Sequence, residues 1–336
     1  MRAPAGSQDL PPLTSESLRA ADPCEARPIA PGRFNPFMVR ARCTPPLPTA
    51  VVHPCSPQAI LAAVEARDEH LLAPLLVGPE RKIRAAAAEA GVSLEGMLIE
   101  PTEHSHAAAA RAVELAAHGK TRALMKGSLH SSEFLGAIVA KSSGITTDRR
   151  ISHVYVADVP SYDKLLVITD AAINIAPTLI EKRDICQNAI DFMHRVGVAE
   201  PLVAVLAAVE TVEPSMPATI EAAALMVMAL RGQITGARVD GPLAFDSAID
   251  PDAARIKEIV SPVVGRADIL VAPNLEAGNM LAKQLIYFAG ADAAGLVLGA
   301  RVPIILTSRA DSLRVRLASA ALAKLIGVET TGSVAD

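Results

Sequence analysis

Short runs of β-branched and aliphatic residues alternate along the chain with longer alanine-rich segments. The runs have the length that is typical of buried strands, and each intervening segment has room for a helix. Strands that alternate with helices indicate an α/β fold, with helices on both faces of parallel, doubly wound sheets. We predict strands at residues 49–53, 73–78, 96–100, 123–127, 152–158, 164–170, 202–209, 240–245, 268–273, 294–299 and 302–308.

Two of the intervening segments have readable helix boundaries. Ser56 and Pro57 stand where an N-cap and a first helical residue are expected, and Pro79 and Gly91 bracket a second segment. Residues 1–47 differ because proline is frequent there, and proline removes a backbone donor and restricts the residue before it. We expect this part to be a disordered extension or linker, with room for a short helix around residues 14–21.

Composition sets the size of the core and excludes one class of partner. A chain of 336 residues exceeds the size at which one core usually stops growing, so we expect two domains of about 150 residues each. Hydrophobic residues make up 51% of the chain and aromatic residues only 3%, so small aliphatic side chains must fill the core. The net charge of −4 offers no basic surface for nucleic acid.

The cysteines and the apolar runs indicate the cellular compartment of the protein. The four cysteines form no CxxC pair and no metal-ligand spacing with histidine, which favours free thiols in the cytoplasm over a disulfide framework. No run approaches the roughly 20 apolar residues that a membrane helix needs. The amino-terminal residues lack the apolar region of a signal peptide, so we expect no membrane partner.

Loops at the carboxyl ends of strands are where open α/β sheets bind ligands. In the loop MKGSLHSSEF, residues 125–134, Lys126 is followed by hydroxyls at Ser128, Ser131 and Ser132 at the start of a helix, and His130 lies inside this loop. A cation, hydroxyls and free helix N–H groups suit an anion, although the order is not that of a Walker A loop. For this loop alone, an N-capped helix with a surface lysine is slightly favoured.

The loop TSRADS, residues 307–312, is more specific. Arg309 offers bidentate hydrogen bonds to an oxyanion and Ser308 adds a neutral donor. The alternative, an N-cap at which Asp311 favours the helix dipole and the arginine is solvated, is equally good for this loop alone. Two such loops in one chain favour anion binding.

Three further regions carry candidate groups. After the ninth predicted strand, Asn274 precedes a helix that carries Asn279 and Lys283. Asp170 ends a strand and fits a ligand contact or a cap equally well. Residues 240–250 contain three aspartates, for which a turn and a helix start are commoner than a metal triad.

Six long runs follow one another in the chain: ALMKGSLHSSEFLGAIV, RRISHVYVADVP, LVITDAAINIAPTLIEKRDICQNAI, DGPLAFDSAI, ADILVAPNLEAGNMLAKQL and GADAAGLVLGARVPIILTSRADS. Together they resemble the phosphate acetyltransferase and phosphate butyryltransferase family. The resemblance covers residues 48–323. It is strongest to the transferase half of bifunctional proteins in which an enoyl-CoA hydratase domain comes first.

This resemblance implies reversible transfer of an acetyl or butyryl group between coenzyme A and inorganic phosphate, without a metal, another cofactor or a covalent intermediate. It also implies two α/β/α domains flanking a cleft, as in isocitrate and isopropylmalate dehydrogenases, and a homodimer. Residues 48–152 and 298–336 would form a discontinuous first domain, and residues 153–297 the second.

By the same resemblance, Ser308 and Arg309 match the family's phosphate-binding Ser-Arg pair, and Lys126 and Ser128 belong to the loop that lines the acyl and phosphate site. We assign further substrate-binding roles to His130, Ser131, Asn274, Asn279 and Lys283.

The chain departs from the acetyltransferase branch at one position. There an aspartate follows the arginine by six residues and is the proposed base for the CoA thiol, whereas here that position is Val315. Asp311 is the available carboxylate, and its role as a base is a hypothesis. As in butyryltransferase-like sequences, it stands two residues after the arginine.

Two other functions stay open. A metal-dependent hydroxyacid dehydrogenase of the same fold would need clustered aspartates and a Lys/Tyr pair, and none of the three tyrosines stands in such a context. A non-catalytic module that binds CoA or an acyl phosphate fits the altered aspartate position. The acyl chain is open too, because one methylene changes selectivity by only about 1–3 kcal/mol.

Overall fold

The computed structural model describes residues 32–307 and 311–327. The strands in this part are β1 (Leu47–Val52), β2 (Leu72–Gly78), β3 (Leu98–Pro101), β4 (Ala123–Lys126), β5 (Ser152–Asp158), β6 (Leu166–Thr169), β7 (Leu202–Leu206), β8 (Arg238–Leu243), β9 (Ile269–Val271), β10 (Asp292–Leu298) and β11 (Ile304–Ile305). The helices are α1 (Asn35–Arg42), α2 (Pro57–Asp68), α3 (Glu80–Ala90), α4 (Ser105–Ala117), α5 (Ser131–Val139), α6 (Leu179–Val196), α7 (Pro217–Leu230), α8 (Phe245–Ile249), α9 (Pro251–Ile256), α10 (Leu275–Tyr287) and α11 (Leu313–Gly327).

Within the described residues, the strands form one continuous sheet in the order β3-β2-β1-β4-β11-β10-β5-β6-β9-β7-β8. The first five strands in this order form one block of mutually parallel strands, and the last four form a second block of mutually parallel strands. Between them, β10 and β5 run antiparallel to each other and to their outer neighbours. The prediction of parallel sheets is therefore corrected to one mixed sheet.

In this order, different strands have their carboxyl ends at opposite edges of the sheet. Strands β1, β4, β11 and β5 end at one edge, which we call the β4 edge, whereas β6, β9 and β7 end at the opposite edge. Loops that follow strands of the two outer blocks consequently emerge on opposite sides of the molecule. The direction of a strand thus decides which candidate residues meet.

Every predicted strand segment contains a strand, because each is a short apolar run bounded by turn or helix residues. The predicted helix boundaries are also confirmed. Ser56 Oγ accepts a hydrogen bond from Ala59 N at 3.4 Å, and Gly91 ends α3 in the left-handed conformation with a φ of 67°.

The chain crosses between the two blocks of the sheet through β5 and returns through β10. The predicted crossing points, near residues 152 and 298, coincide with the first residue of β5 and the last residue of β10. On one face, a single hydrophobic core includes Ile60 of α2, Phe192 of α6 and Leu317 of α11 and spans both blocks. On the other face, α5 and α10 belong to separate clusters. The division into two domains remains a prediction.

The expectation of a linker over residues 1–47 is wrong for the part that the structure describes. Residues 35–42 form α1, and Phe34 and Met38 are 1% and 3% exposed in the main core. Pro36 does not prevent this helix, because it stands in the first turn, where its missing N–H has no helical partner. Residues 14–21 lie outside the described part.

Cys55 and Cys186 are free thiols, as expected, but Cys43 is disulfide-bonded. The spacing of the cysteines along the sequence could not indicate that bond, because the fold decides which cysteines come close enough to pair. Among the described helices, none is both long and apolar enough to cross a membrane.

Candidate active site

The two loops predicted to bind an anion start side by side. β4 and β11 are adjacent parallel strands, so the residues after Lys126 and after Ile305 emerge together at the β4 edge. Lys126, Gly127 and Thr307 line a cavity of about 30 Å³ at this point. Ser308 and Arg309 lie outside the described residues, between Thr307 and Asp311.

Gly127 lets the loop after β4 press against the end of β1. Its backbone N donates to the carbonyl oxygen of Val52, and the N of Ser128 donates to that of His53, both at 2.9 Å. A Cβ at residue 127 would lie 2.4 Å from Val52 O and 2.8 Å from the His53 carbonyl carbon. Glycine is the residue that fits this close approach of two backbones.

Ser128 connects this loop to helix α2. Its hydroxyl donates a hydrogen bond to Ser56 Oγ, with 3.0 Å between the oxygens. Ser56 is the N-cap of α2, and Ser56 and Gln58 line the same cavity as Lys126. The free N–H groups and the positive dipole of a helix start add to the local positive potential.

Two basic side chains, Lys126 and Arg316, line this cavity. Lys126 is 9% exposed, and the Arg316 side chain is 13% exposed. Lys82 acts on the neighbouring loop: burial lowers the pKa of His53, and the charge of Lys82 lowers it further. Burial raises the pKa of the Cys55 thiol, and the same lysine opposes that rise. The shielded charges of Lys126 and Arg316 add a positive potential that suits a phosphate group.

His130 and Ser131 stand at the outer side of the same loop. His130 occupies the N-cap position of α5 without a capping hydrogen bond from its side chain, and both residues are exposed. They share the β4 edge with Lys126, and their substrate-binding roles stay predictions.

Asn274 and Asn279 lie elsewhere, because β9 ends at the opposite edge of the sheet. Asn274 caps α10 by accepting a hydrogen bond from Ala277 N at 2.9 Å. Asn279 Nδ2 donates to the carbonyl oxygen of Ala171 at 2.9 Å. Lys283 is exposed on α10. The structure does not bring the two asparagines to Lys126, and substrate binding by all three residues remains a prediction.

Asp311 lies at the end of the loop after β11 and is half-buried. Its carbonyl oxygen accepts a hydrogen bond from Arg316 Nη1 at 2.8 Å. Burial, followed by the charge of Asp311, raises the pKa of the Tyr155 hydroxyl. Val315, at the position of the family's aspartate, is 6% exposed and packs in the interior.

Other aspartates have structural partners. Asp170 is 3% exposed and accepts hydrogen bonds from the N atoms of Ala172 and Ile173 at 2.8 and 3.0 Å, so it organises its own loop. Asp250 caps α9, and Asp246 pairs with Lys257. In the part of the chain that the structure covers, no three His, Cys, Asp or Glu residues could hold a metal ion together.

Arg316 and the contact role of Ser56 were not predicted from the sequence. Ser56 had a readable signal, because it follows β1 at the same edge as the other two loops. No local signal indicated Arg316, since its hydrogen bond to Glu65 joins residues 251 positions apart. A wider groove of about 1040 Å³, lined by Arg122, Arg195 and Arg301 among others, lies at the opposite edge.

The fold and these loops define an α/β protein of the phosphotransacylase type. A branched-chain phosphotransacylase from Enterococcus faecalis superposes with a TM-score of 0.72 at 28% identity, covering 83% of this chain and 99% of that one. A 4-hydroxythreonine-4-phosphate dehydrogenase from Klebsiella pneumoniae shares the fold at a TM-score of 0.51 and 16% identity, covering 84% of this chain and 100% of that one.

The sequence comparisons agree. The profile of the family described as phosphate acetyl/butaryl transferase matches residues 102–324. A phosphate acetyltransferase of Rhizobium meliloti is 57% identical over 298 residues, which are 89% of this chain and 94% of that protein. A phosphate butyryltransferase of Clostridium acetobutylicum is 36% identical over 293 residues, 87% of this chain and 97% of that protein. The chain belongs to the phosphate acetyl/butaryl transferase family.

Proposed function

We propose that this protein is a phosphate acyltransferase, which reversibly transfers a short acyl group between coenzyme A and inorganic phosphate. The observation that carries the proposal is the convergence of Lys126 and Thr307 on one cavity at the β4 edge, because Thr307 leads directly into Ser308 and Arg309. The family to which the chain belongs supports the same reaction.

The reaction starts with attack by a phosphate oxygen on the thioester carbonyl carbon. A C–O bond forms, negative charge moves to the carbonyl oxygen, and the C–S bond then breaks to release the CoA thiolate. Phosphate is already an anion near neutral pH, so the protein has to position it and stabilise the oxyanion. Arg309, Ser308 and Lys126 supply the fixed positive charge and hydrogen-bond donors for this task.

The reaction also transfers a proton to or from the sulfur atom of CoA. In the direction of acyl-CoA synthesis the thiol must lose a proton, and Asp311 is the carboxylate that we assign to accept it. In the opposite direction the protonated Asp311 returns it to the leaving thiolate. We propose no metal and no cofactor beyond the CoA thioester itself.

We propose a homodimer, formed through helix α7. This helix is apolar over most of its length, yet Ile220, Val227 and Leu230 are 46%, 47% and 77% exposed. Exposed apolar positions on one helix face are a usual mark of a subunit interface. Two substitutions of these residues by glutamate should convert a dimer to a monomer in light scattering. A monomeric wild-type protein would contradict the dimer.

We also propose a cytoplasmic location, because acyl-CoA is the substrate and Cys55 and Cys186 are free thiols. Disulfides are rare in the cytoplasm, so the Cys43 bond in the structure argues against this location and gives a direct check. Thiol counting on protein isolated from cells without added oxidant should find Cys43 reduced. Quantitative oxidation would argue for a different compartment.

The experiment for the activity is thiol release from acetyl-CoA and butyryl-CoA in the presence and absence of phosphate. Phosphate-dependent release of CoA with formation of the acyl phosphate supports the transferase, and the ratio of the two rates gives the acyl preference. The second candidate is a non-catalytic module that binds CoA or an acyl phosphate, which Val315 in place of the aspartate favours. Binding of acyl-CoA without turnover by folded protein would support that module.

A further inference from the structure

Helix α2 contacts both candidate loops. At its amino end, Ser56 Oγ accepts the hydrogen bond from Ser128, which belongs to the loop after β4. About two and a half turns further on, Glu65 lies 3.4 Å from Arg316 Nη2. Arg316 Nη1 in turn donates to the carbonyl oxygen of Asp311, at the end of the loop after β11. One helix therefore supports both halves of the site.

Arg316 is the connecting side chain. It belongs to α11, lines the cavity with Lys126 and Thr307, and has a side chain that is only 13% exposed. Its guanidinium is planar with donors in fixed directions, so bonds from its two Nη atoms fix Glu65 and the Asp311 carbonyl relative to each other. The Nε atom is buried and has no hydrogen-bond partner.

Glu65 provides the charge that keeps Arg316 in this position. Its side chain is 19% exposed, and burial raises the pKa of its carboxyl while the Arg316 cation opposes the rise. A shielded guanidinium without a counter-ion would be strongly unfavourable. The pair thus forms a support between α2 and the loop, away from the exposed surface.

We infer that Arg316 is a positioning residue: held by Glu65 on α2, it fixes the Asp311 backbone relative to α2 and to the cavity that Lys126 and Thr307 line. This inference rests on the proposed phosphate acyltransferase function. Arg316 need not touch the substrate, because its effect passes through the carbonyl of Asp311. Under the proposed function, the affinity for phosphate depends on where Arg316 holds Asp311 relative to that cavity.

The test measures kcat and KM for phosphate and for acyl-CoA separately, in wild-type protein and in Arg316→Gln. A misplacement of about 1 Å can cost about 10²-fold in rate, so kcat/KM for phosphate should fall by about 10²-fold while KM for acyl-CoA stays unchanged. Arg316→Lys keeps one charged hydrogen bond and should recover about tenfold of this loss. The matched control is Arg84→Gln, an exposed arginine that pairs with Glu80 on α3.

The counter-ion gives a second, independent readout. Glu65→Gln retains an acceptor for Arg316 and should cost less than Arg316→Gln. The double variant should be no worse than Arg316→Gln alone, because both changes act on the same connection. Melting temperatures identify variants that lose the fold, and in that case the comparison of Arg316→Lys with wild type decides.

Two results would overturn the inference while leaving the proposed function intact. One is wild-type kcat/KM for phosphate in a folded Arg316→Gln protein with a lower melting temperature, which would make Arg316 a purely structural residue. The other is an equal loss for both substrates. A wild-type protein without phosphate-dependent CoA release would instead contradict the proposed function itself.

Discussion

Ser128 Oγ donates a hydrogen bond to Ser56 Oγ at 3.0 Å, although 72 positions separate the two residues. The bond joins the loop after β4 to the N-cap of α2, and Ser56 Oγ also accepts from Ala59 N. The strand-end loop and the helix start therefore form one unit at the cavity.

Replacing Ser128 by alanine tests this unit. Loss of one hydrogen bond near the bound anion should lower kcat/KM for phosphate about tenfold. Ser56→Ala should do the same and also lower the free energy of unfolding by about 1 kcal/mol, because α2 loses its cap. Steady-state kinetics and urea unfolding measure the two effects. Ser142→Ala, at an exposed serine, is the control, and wild-type kinetics in Ser128→Ala would contradict the role.

A second prediction concerns the glycine of the same loop. Gly127→Ala places a Cβ against backbone atoms of Val52 and His53 that cannot move aside, so it should lower the free energy of unfolding by about 2 kcal/mol and abolish most activity. Gly136→Ala in α5 is the matched control, because no atom lies within 4 Å of its Cβ position. That change should stabilise the protein by up to about 1 kcal/mol. Equal stability of the two variants would refute the close approach at Gly127.

A third prediction tests the base. Asp311→Asn keeps the backbone carbonyl that Arg316 binds but removes the proton acceptor, so kcat for acyl-CoA synthesis should fall by about 10²- to 10⁴-fold. Activity near that of wild type would exclude Asp311 as the base. Asp163→Asn, at an exposed aspartate, serves as the control.

A fourth prediction concerns stability in acid. His153 is fully buried, and burial lowers its pKa to about 4, against a smaller opposing effect of Asp170. Between pH 6.5 and about 4 the unfolded imidazole binds a proton that the folded one does not. The free energy of unfolding should therefore fall with decreasing pH in this window, by up to about 1.4 kcal/mol per pH unit.

Urea unfolding at several pH values measures this slope. His153→Gln removes the titrating group and should flatten it, whereas His118→Gln, at an exposed histidine, should leave it as in wild type. An unchanged slope in His153→Gln would show that other groups control acid stability.

The strands could be predicted from the sequence because each is a local apolar run with its own boundaries. The directions of β5 and β10 could not, because a buried strand is equally apolar in either direction and its neighbours decide. α1 was missed because its proline suggested a linker, although Phe34 and Met38 anchor it in the core.

The candidate site likewise contains residues that the sequence could predict and residues that it could not. Lys126 and Ser128 were predicted because they stand at the carboxyl end of a strand, which local sequence shows. Asn274 met the same criterion but follows a strand that ends at the opposite edge, so strand direction separated it from the cavity. Arg316 depends on a contact across most of the chain, and no local pattern could indicate it.

The central claim is that the loops after β4 and β11 bind the phosphate that accepts the acyl group. The most direct measurement is phosphate-dependent CoA release by wild type, Arg309→Ala and Arg301→Ala, the last at an exposed arginine by the opposite edge. We predict that Arg309→Ala loses about 10²- to 10³-fold in kcat/KM for phosphate and that Arg301→Ala does not. Equal activity of Arg309→Ala and wild type would contradict the claim.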